Sequence, residues 1–299
     1  MKTPIFTGSG TAIVTPLSAG TIDFDAFARL IEAQAAGGTA ALIVCGTTGE
    51  GATLTPEEHE ALFRFAAEHS AGRMKIVAGV GSNDTAAALE MAKRAEQAGA
   101  DGLLMVTPYY NKTTQAGLVK HFTYVADRTA LPIIVYNVPS RTGVGVTPET
   151  YAVLAQHPNI NAVKEASGSI GEFARTVALC GDRLNFLSGN DSDTVAMMAL
   201  GAQGVISVAS NIVPEAVSRL CALCLQGDFP AAAALNRQYM DLFTALFWEV
   251  NPIPVKTAMA MTGLCSGEMR LPLVPMGEAH RAALEEVLLR HGLLTKETA

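Results

Sequence analysis

Eight short aliphatic and β-branched runs, separated by stretches of helical periodicity, restrict this chain to an alternating β/α architecture. They are Thr11–Thr15, Ala40–Cys45, Lys75–Gly79, Gly102–Val106, Ile133–Tyr136, Ile160–Lys164, Asn185–Ser188 and Gly204–Val208. Successive runs start between 19 residues apart (185 to 204) and 35 apart (40 to 75). Most are nearly continuous in hydrophobicity, as parallel strands buried on both faces must be. Phe24, Phe27, Leu30 and Ile31 stripe the first intervening helix, and Leu62, Phe65 and Ala66 the second. Thr55-Pro56-Glu57-Glu58 reads as a capping box with proline at the first helical position, and Thr147-Pro148-Glu149 repeats the cap. Glycines in Ala36-Gly37-Gly38, Ala98-Gly99-Ala100 and Leu200-Gly201-Ala202 suit the left-handed helix exits that precede the second, fourth and eighth strands.

Eight such units form either a doubly wound sheet or a closed barrel. Gly8-Ser9-Gly10 and Gly79-Val80-Gly81 lack the third glycine of a dinucleotide loop, and no GxxxxGK[ST] phosphate loop occurs. A TIM (β/α)8 barrel over residues 1–225 is therefore expected. Beyond it a C-terminal helical region, 226–299, should hold helices at Phe229–Phe247, Pro254–Thr262 and Gly277–His291. The stretch from Thr194 to Pro214 has no charged residue, but Gly201, Gln203, Gly204, Ser207, Ser210 and Asn211 interrupt it, so a buried helix and strand are expected rather than a membrane span. A net charge of −7 gives no basic footprint for nucleic acid or an anionic membrane. The opening MKTPIFTGSG has no apolar run of signal-peptide length, so a cytoplasmic location is expected. The five cysteines, including the Cys221–Cys224 pair, read as small apolar residues in a reducing compartment.

In a barrel of this kind the chemistry sits at the C-terminal ends of the strands. Of eight lysines, Lys75 starts a strand, Lys93, Lys112 and Lys120 lie on helices or loops, Lys256 falls in the helical tail, and Lys2 and Lys296 are terminal. Only Lys164 closes an apolar strand on the catalytic side. Burial there disfavours the ammonium and yields an amine able to form a Schiff base with a ketone. The competing reading is an ion pair with Glu165, weakened because strand neighbours point to opposite faces. Other strand ends supply Cys45-Gly46-Thr47-Thr48-Gly49-Glu50, with donors for a small carboxylate, and Thr107-Pro108-Tyr109-Tyr110-Asn111. The fifth leads into Tyr136-Asn137-Val138-Pro139-Ser140-Arg141, with a guanidinium fork for a second carboxylate. Taken singly, the threonines are as well read as turn residues, the tyrosines as rim aromatics and Arg141 as solvated. The six histidines are scattered over helices with no HxH or HxxxH pairing, and most are expected at the surface; no metal site is expected.

Taken together, Gly46-Thr47-Thr48-Gly49-Glu50, Tyr109-Tyr110-Asn111, Tyr136 through Gly143, Val163-Lys164-Glu165-Ala166-Ser167-Gly168, Gly204 through Val208 and Asn251-Pro252-Ile253-Pro254-Val255-Lys256 resemble the dihydrodipicolinate synthase family. Its superfamily includes N-acetylneuraminate lyase, and the resemblance spans essentially the whole chain. It implies a barrel that condenses pyruvate with aspartate-4-semialdehyde to 4-hydroxy-tetrahydrodipicolinate in lysine (diaminopimelate) biosynthesis, without metal or nucleotide cofactor. It further implies that Lys164 carries pyruvate as an imine and Tyr136 donates and accepts protons. Thr47 and Tyr110 would complete a relay, with Tyr110 reaching into the partner's site in a tight dimer, two of which form a homotetramer. Thr48 would hold the pyruvate carboxylate, Arg141 the semialdehyde carboxylate, and Gly189 and the backbone around Ile206 would line the pyruvate pocket.

The chain departs from lysine-inhibited members of that family, which bind lysine through a histidine and a glutamate where this chain has Pro56 and Ala87. Asn83, Tyr109 and His59 still match. Weak feedback by lysine is therefore expected. The rival reading is a sialate or keto-deoxy sugar acid lyase using the same Lys164 chemistry; Thr47-Thr48 and Arg141 speak for the synthase. A non-catalytic keto-acid-binding barrel is the reading from a different class.

Overall fold

The structure, a computed structural model, describes residues 2–295. Eight parallel strands close into a barrel: β1 Gly8–Ala12, β2 Ala41–Val44, β3 Lys75–Gly79, β4 Gly102–Val106, β5 Ile133–Asn137, β6 Ile160–Glu165, β7 Asn185–Ser188 and β8 Gly204–Ser207. Each hydrogen-bonds to its chain neighbours, and β1 closes the ring between β8 and β2. The helices that follow them are α1 Phe24–Ala36, α2 Pro56–Ser70, α3 Thr85–Gln97, α4 Gln115–Ala126, α5 Pro148–Leu154, α6 Ile170–Cys180, α7 Thr194–Ala199 and α8 Pro214–Leu225. The chain continues through α9 Phe229–Ala245, α10 Ile253–Met261 and α11 Glu278–Arg290. Lys296, at the chain terminus, lies outside the described residues.

The continuous apolar strands reflect two cores. Ala12, Ile43, Val77, Leu104, Ile134, Ala162, Leu187 and Ile206 point inward, while Val135, Val163 and Met105 face the helices. The capping box at α2 is complete: Thr55 Oγ accepts from the Glu58 amide at 3.2 Å and Glu58 accepts from the Thr55 amide at 2.8 Å. Gly38, Gly99 and Gly201 take the left-handed φ expected at the helix exits. Thr194–Pro214 contains α7 and β8, a helix and a strand rather than a span, and no helix among the described residues is long and apolar enough to cross a membrane.

The first strand lies three residues earlier than its aliphatic run. Packing requires two of its contacts to be made by glycine: a Cβ on Gly204 of β8 would sit 2.0 Å from the Gly8 carbonyl oxygen, and one on Gly10 would sit 2.7 Å from the Phe6 ring, while Gly8 itself takes a left-handed φ of 86°. The strand therefore begins in a segment whose composition reads as a loop. Helix ends shift less: α9 stops at Ala245, and α10 begins at Ile253, one residue before its expected proline start. Below the barrel, Lys2 Nζ donates to the carbonyls of Ala155, His157 and Ile160 at 3.0, 2.7 and 2.6 Å, and Phe6 fills the inner core from beneath.

Candidate active site

Lys164 and Tyr136 are paired in register on adjacent strands and project into the barrel at its C-terminal end. Lys164 Nζ stands 4.2 Å from the centre of the Tyr136 ring. Both side chains are buried. Burial removes the water that would solvate the ammonium and lowers the Lys164 pKa to about 7, with Asp191 opposing and Arg141 adding to the shift. Burial also raises the Tyr136 pKa, against the pull of Arg141 and a hydrogen bond from Thr47.

Glu165, the expected alternative partner, points the other way. Its carboxylate accepts from Asn137 Nδ2 at 3.0 and 3.1 Å, from Tyr151 OH at 3.1 Å and from the Ser167 amide at 2.8 Å. These donors leave it no role at the lysine. The nearest acid on the inner side, Asp191, accepts from Ser207 Oγ and from the amides of Val208 and Ala209 at 3.1 and 3.0 Å. It thereby fixes the turn after β8 as well as facing the amine.

A cavity of about 180 Å³ surrounds this pair. Thr47, Thr48, Arg141 and Gly189 line it, as do Asn190, Val208, Phe247 and Asn251. A Cβ on Gly189 would meet Ala166 Cβ at 2.6 Å and the Glu165 carbonyl at 3.0 Å, so glycine lets β7 turn tightly beside Lys164. Ile206 belongs to the inner layer beneath, and Val208 rather than Ile206 reaches the cavity wall. A second cavity of about 520 Å³ shares Thr47, Tyr136, Arg141 and Asn251 and extends past His59, Ala87, Met91 and Tyr109. A broader surface depression, about 780 Å³, lies between α9 and α11, where Asp241 is already taken by Arg290 and His291.

The loop holding Thr47 and Thr48 is bounded by two residues in the left-handed region, Cys45 (φ 57°) and Glu50 (φ 55°). Such residues cost roughly 1–3 kcal/mol each and persist only where surrounding contacts impose them. Here the contacts come from the far end of the chain. Lys256 Nζ is fully buried and donates to Glu50 Oε1 at 2.6 Å, Thr15 O at 3.0 Å and Glu268 O at 2.6 Å. The Arg270 amide also donates to Glu50, and its guanidinium clasps Glu58, holding that carboxyl down at about 2. Asn251 Nδ2 donates to Thr48 Oγ1 at 3.0 Å, and the Asn251 carbonyl accepts from Arg141 Nη2 at 3.4 Å.

The structure therefore gathers Lys164, Tyr136, Thr47, Thr48, Arg141 and Gly189 around one cavity. Tyr110 is not among them: it is 90% exposed with φ +70°, while Tyr109 borders the larger cavity. Sequence reasoning quoted Asn251 and Lys256 only within a family motif, without a role, and missed Phe247; all three come from the helical region. The uninterrupted apolar setting of Ile253-Pro254-Val255-Lys256 was the available signal, since a lysine buried in such a helix requires an acceptor. The histidines are also less superficial than expected: His59 and His121 are buried, holding Gly51 O and Thr85 Oγ1 at 2.9 Å each. The cysteines are unbonded thiols, and all but Cys265 are buried. Among the described residues no three His, Cys, Asp or Glu side chains gather in a metal-ligating group.

Known proteins resemble this chain in sequence and in fold. The model of the dihydrodipicolinate synthetase family matches residues 5–291. A 4-hydroxy-tetrahydrodipicolinate synthase of Geobacter sulfurreducens is 49% identical over 290 residues, 97% of this chain and 100% of the relative. The crystal structure of dihydrodipicolinate synthase from Aquifex aeolicus superposes with a TM-score of 0.95 at 46% identity, covering 97% of this chain and 100% of that one. A chloride-inhibited dihydrodipicolinate synthase of Acinetobacter baumannii, solved with pyruvate, matches at TM-score 0.95 and 40% identity over 96% of this chain and 99% of that one.

Proposed function

The chain belongs to the dihydrodipicolinate synthetase family, and from that premise we propose that it condenses pyruvate with aspartate-4-semialdehyde to give 4-hydroxy-tetrahydrodipicolinate for lysine biosynthesis. One observation carries this reading. Lys164 is buried beside a tyrosine, without a carboxylate bonded to it, and its pKa falls to about 7. A large fraction is then free amine at neutral pH. The amine attacks the keto carbon of pyruvate, water leaves, and an imine forms. Loss of a methyl proton from that imine gives an enamine whose carbon attacks the aldehyde, and the amino group of the aldehyde substrate then attacks the re-formed imine carbon, closing the ring and expelling the Lys164 amine. Tyr136 moves protons at these steps, with Thr47 behind it. Thr48 and the backbone beside Gly189 hold the pyruvate carboxylate, and Arg141 receives the carboxylate of the aldehyde. The reaction calls for no metal or nucleotide, because the lysine imine is the electron sink.

Tyr110 fits a role beyond its own chain. A tyrosine that is 90% exposed, in a left-handed conformation at a strand end, is held out for contact rather than for packing. It would enter the partner's site in a dimer, two dimers making a tetramer, and a monomer would have an incomplete relay. Cytoplasmic placement accords with a biosynthetic role.

Sodium borohydride added with pyruvate should leave one reduced adduct on Lys164, and a coupled assay with aspartate-4-semialdehyde should show turnover. The same assay with sialate and keto-deoxy sugar acids should not. No adduct, or turnover of the sugar acids alone, would overturn the assignment. Ala87 and His59 border the larger cavity while Pro56 opens α2, so no carboxylate stands at position 87 to meet an effector's ammonium. Millimolar lysine should leave the rate nearly unchanged; strong inhibition below 1 mM, on the order used for tight charge-assisted binding, would contradict that.

A further inference from the structure

Among the described residues, Asn251 is the one side chain from the helical region that hydrogen-bonds Thr48 or Arg141. It is buried, it borders both cavities, and its backbone precedes α10. Its Nδ2 donates to Thr48 Oγ1 at 3.0 Å, while its Oδ1 is buried with no partner among the described residues. The amide is therefore not spent on tying the helical region to the barrel elsewhere. Its side-chain bond goes to Thr48.

A threonine hydroxyl has one proton and two lone pairs. With one lone pair taken by the Asn251 N–H, the Thr48 proton cannot turn toward Asn251. We propose that Asn251 is a positioning residue for the keto-acid carboxylate: its amide N–H backs Thr48 Oγ1, leaving the hydroxyl proton to be donated into the cavity. This rests on Thr48 as the pyruvate carboxylate donor. The same residue meets Arg141, but through its main-chain carbonyl, which every substitution retains. Side-chain replacement should therefore separate the two substrates.

The test measures steady-state KM for pyruvate and for aspartate-4-semialdehyde, together with the pyruvate concentration giving half-maximal borohydride trapping. Asn251→Ala should raise both pyruvate values by about tenfold, the worth of one oriented hydrogen bond to a charged group, with the aldehyde KM and kcat little changed. Asn251→Asp is nearly isosteric yet should be worse than Asn251→Ala, because a carboxylate would capture the Thr48 proton and repel the pyruvate anion. In a Thr48→Val background, Asn251→Ala should add nothing. Equal rises in both KM values, an Asp variant as good as wild type, or additivity with Thr48→Val would overturn the proposal. Should Asn251→Ala misfold, Asn251→Asp decides it, alone and in the Thr48→Val background, where its effect on the pyruvate values should shrink. Absence of any pyruvate trapping in the wild type would instead overturn the functional reading beneath it, which keeps the two failures apart.

Discussion

Lys164 and Lys256 are both buried, one at the barrel mouth and one where the helical region meets the barrel, and their surroundings differ in one respect. Lys256 has three oxygen acceptors, one of them the buried carboxylate of Glu50. Lys164 has the face of Tyr136, a more distant Asp191 and an opposing Arg141. Burial is common to both, so burial alone does not make a nucleophile. An ammonium saturated by acceptors has no lone pair to offer. An amine denied them gives up its proton near neutrality. Lys256 braces the loop that carries Thr47 and Thr48, and Lys164, the proposed nucleophile, stands in the cavity that this loop lines.

The largest expected effect comes from exchanging these roles for nothing. Lys164→Ala should reduce kcat by roughly a thousandfold or more, as when a covalent nucleophile is removed. It should leave the thermal transition where it was or raise it, since no bonded partner is orphaned. Lys256→Met should do the reverse to stability. It strands Glu50 in a dry site, at a cost of about 3–5 kcal/mol, which for a chain of this size lowers Tm by about 10 °C. Calorimetry of both variants checks the contrast: a Lys164 variant that melts early, or a Lys256 variant that does not, breaks it.

The two lysines were unequally legible in the sequence. Lys164 follows from position, because it alone closes an apolar strand on the catalytic side. Tyr136, Thr47, Thr48 and Arg141 follow from neighbouring strand ends and from family resemblance. Lys256 and Asn251 lie about 90 residues beyond Lys164, in a segment that reads as an appended helix. What ties them to the mouth is long-range pairing with Glu50 and Thr48, which no local periodicity encodes. The offset of β1 has a different cause: the close approach of Gly204 to the Gly8 backbone is a property of barrel closure, whereas hydrophobic runs report only what each strand buries. Tyr110 marks a further limit, since its exposed ring lies outside the cavity lining of its own chain.

The smallest effect, and the sharpest on the comparison, is in pH. The folded Lys164 value, about 7, lies below the 10.5 of a solvated lysine. Between those values the unfolded chain binds one proton more than the folded one. The Lys164 contribution to stability should therefore rise with pH across that window, by at most about 1.4 kcal/mol for each pH unit, while the five thiols, which burial holds above the ordinary thiol range, pull total stability the other way once the unfolded thiols ionise. The Lys164 contribution should be read between pH 7 and 9 as the stability difference between wild type and Lys164→Met, in which the thiol contributions common to both chains cancel; a difference that does not change with pH would break the assignment. The trapping rate with pyruvate should follow the free amine, climbing through an acid limb near pH 7 and levelling above pH 8. Because Arg141 pushes the amine value down and Asp191 holds it up, Arg141→Ala should move that limb to higher pH and Asp191→Asn to lower pH. Lys256→Met should leave it in place. Shifts of the limb in the same direction for Arg141→Ala and Asp191→Asn would mean that solvent entry, rather than these two charges, sets the amine at the barrel mouth.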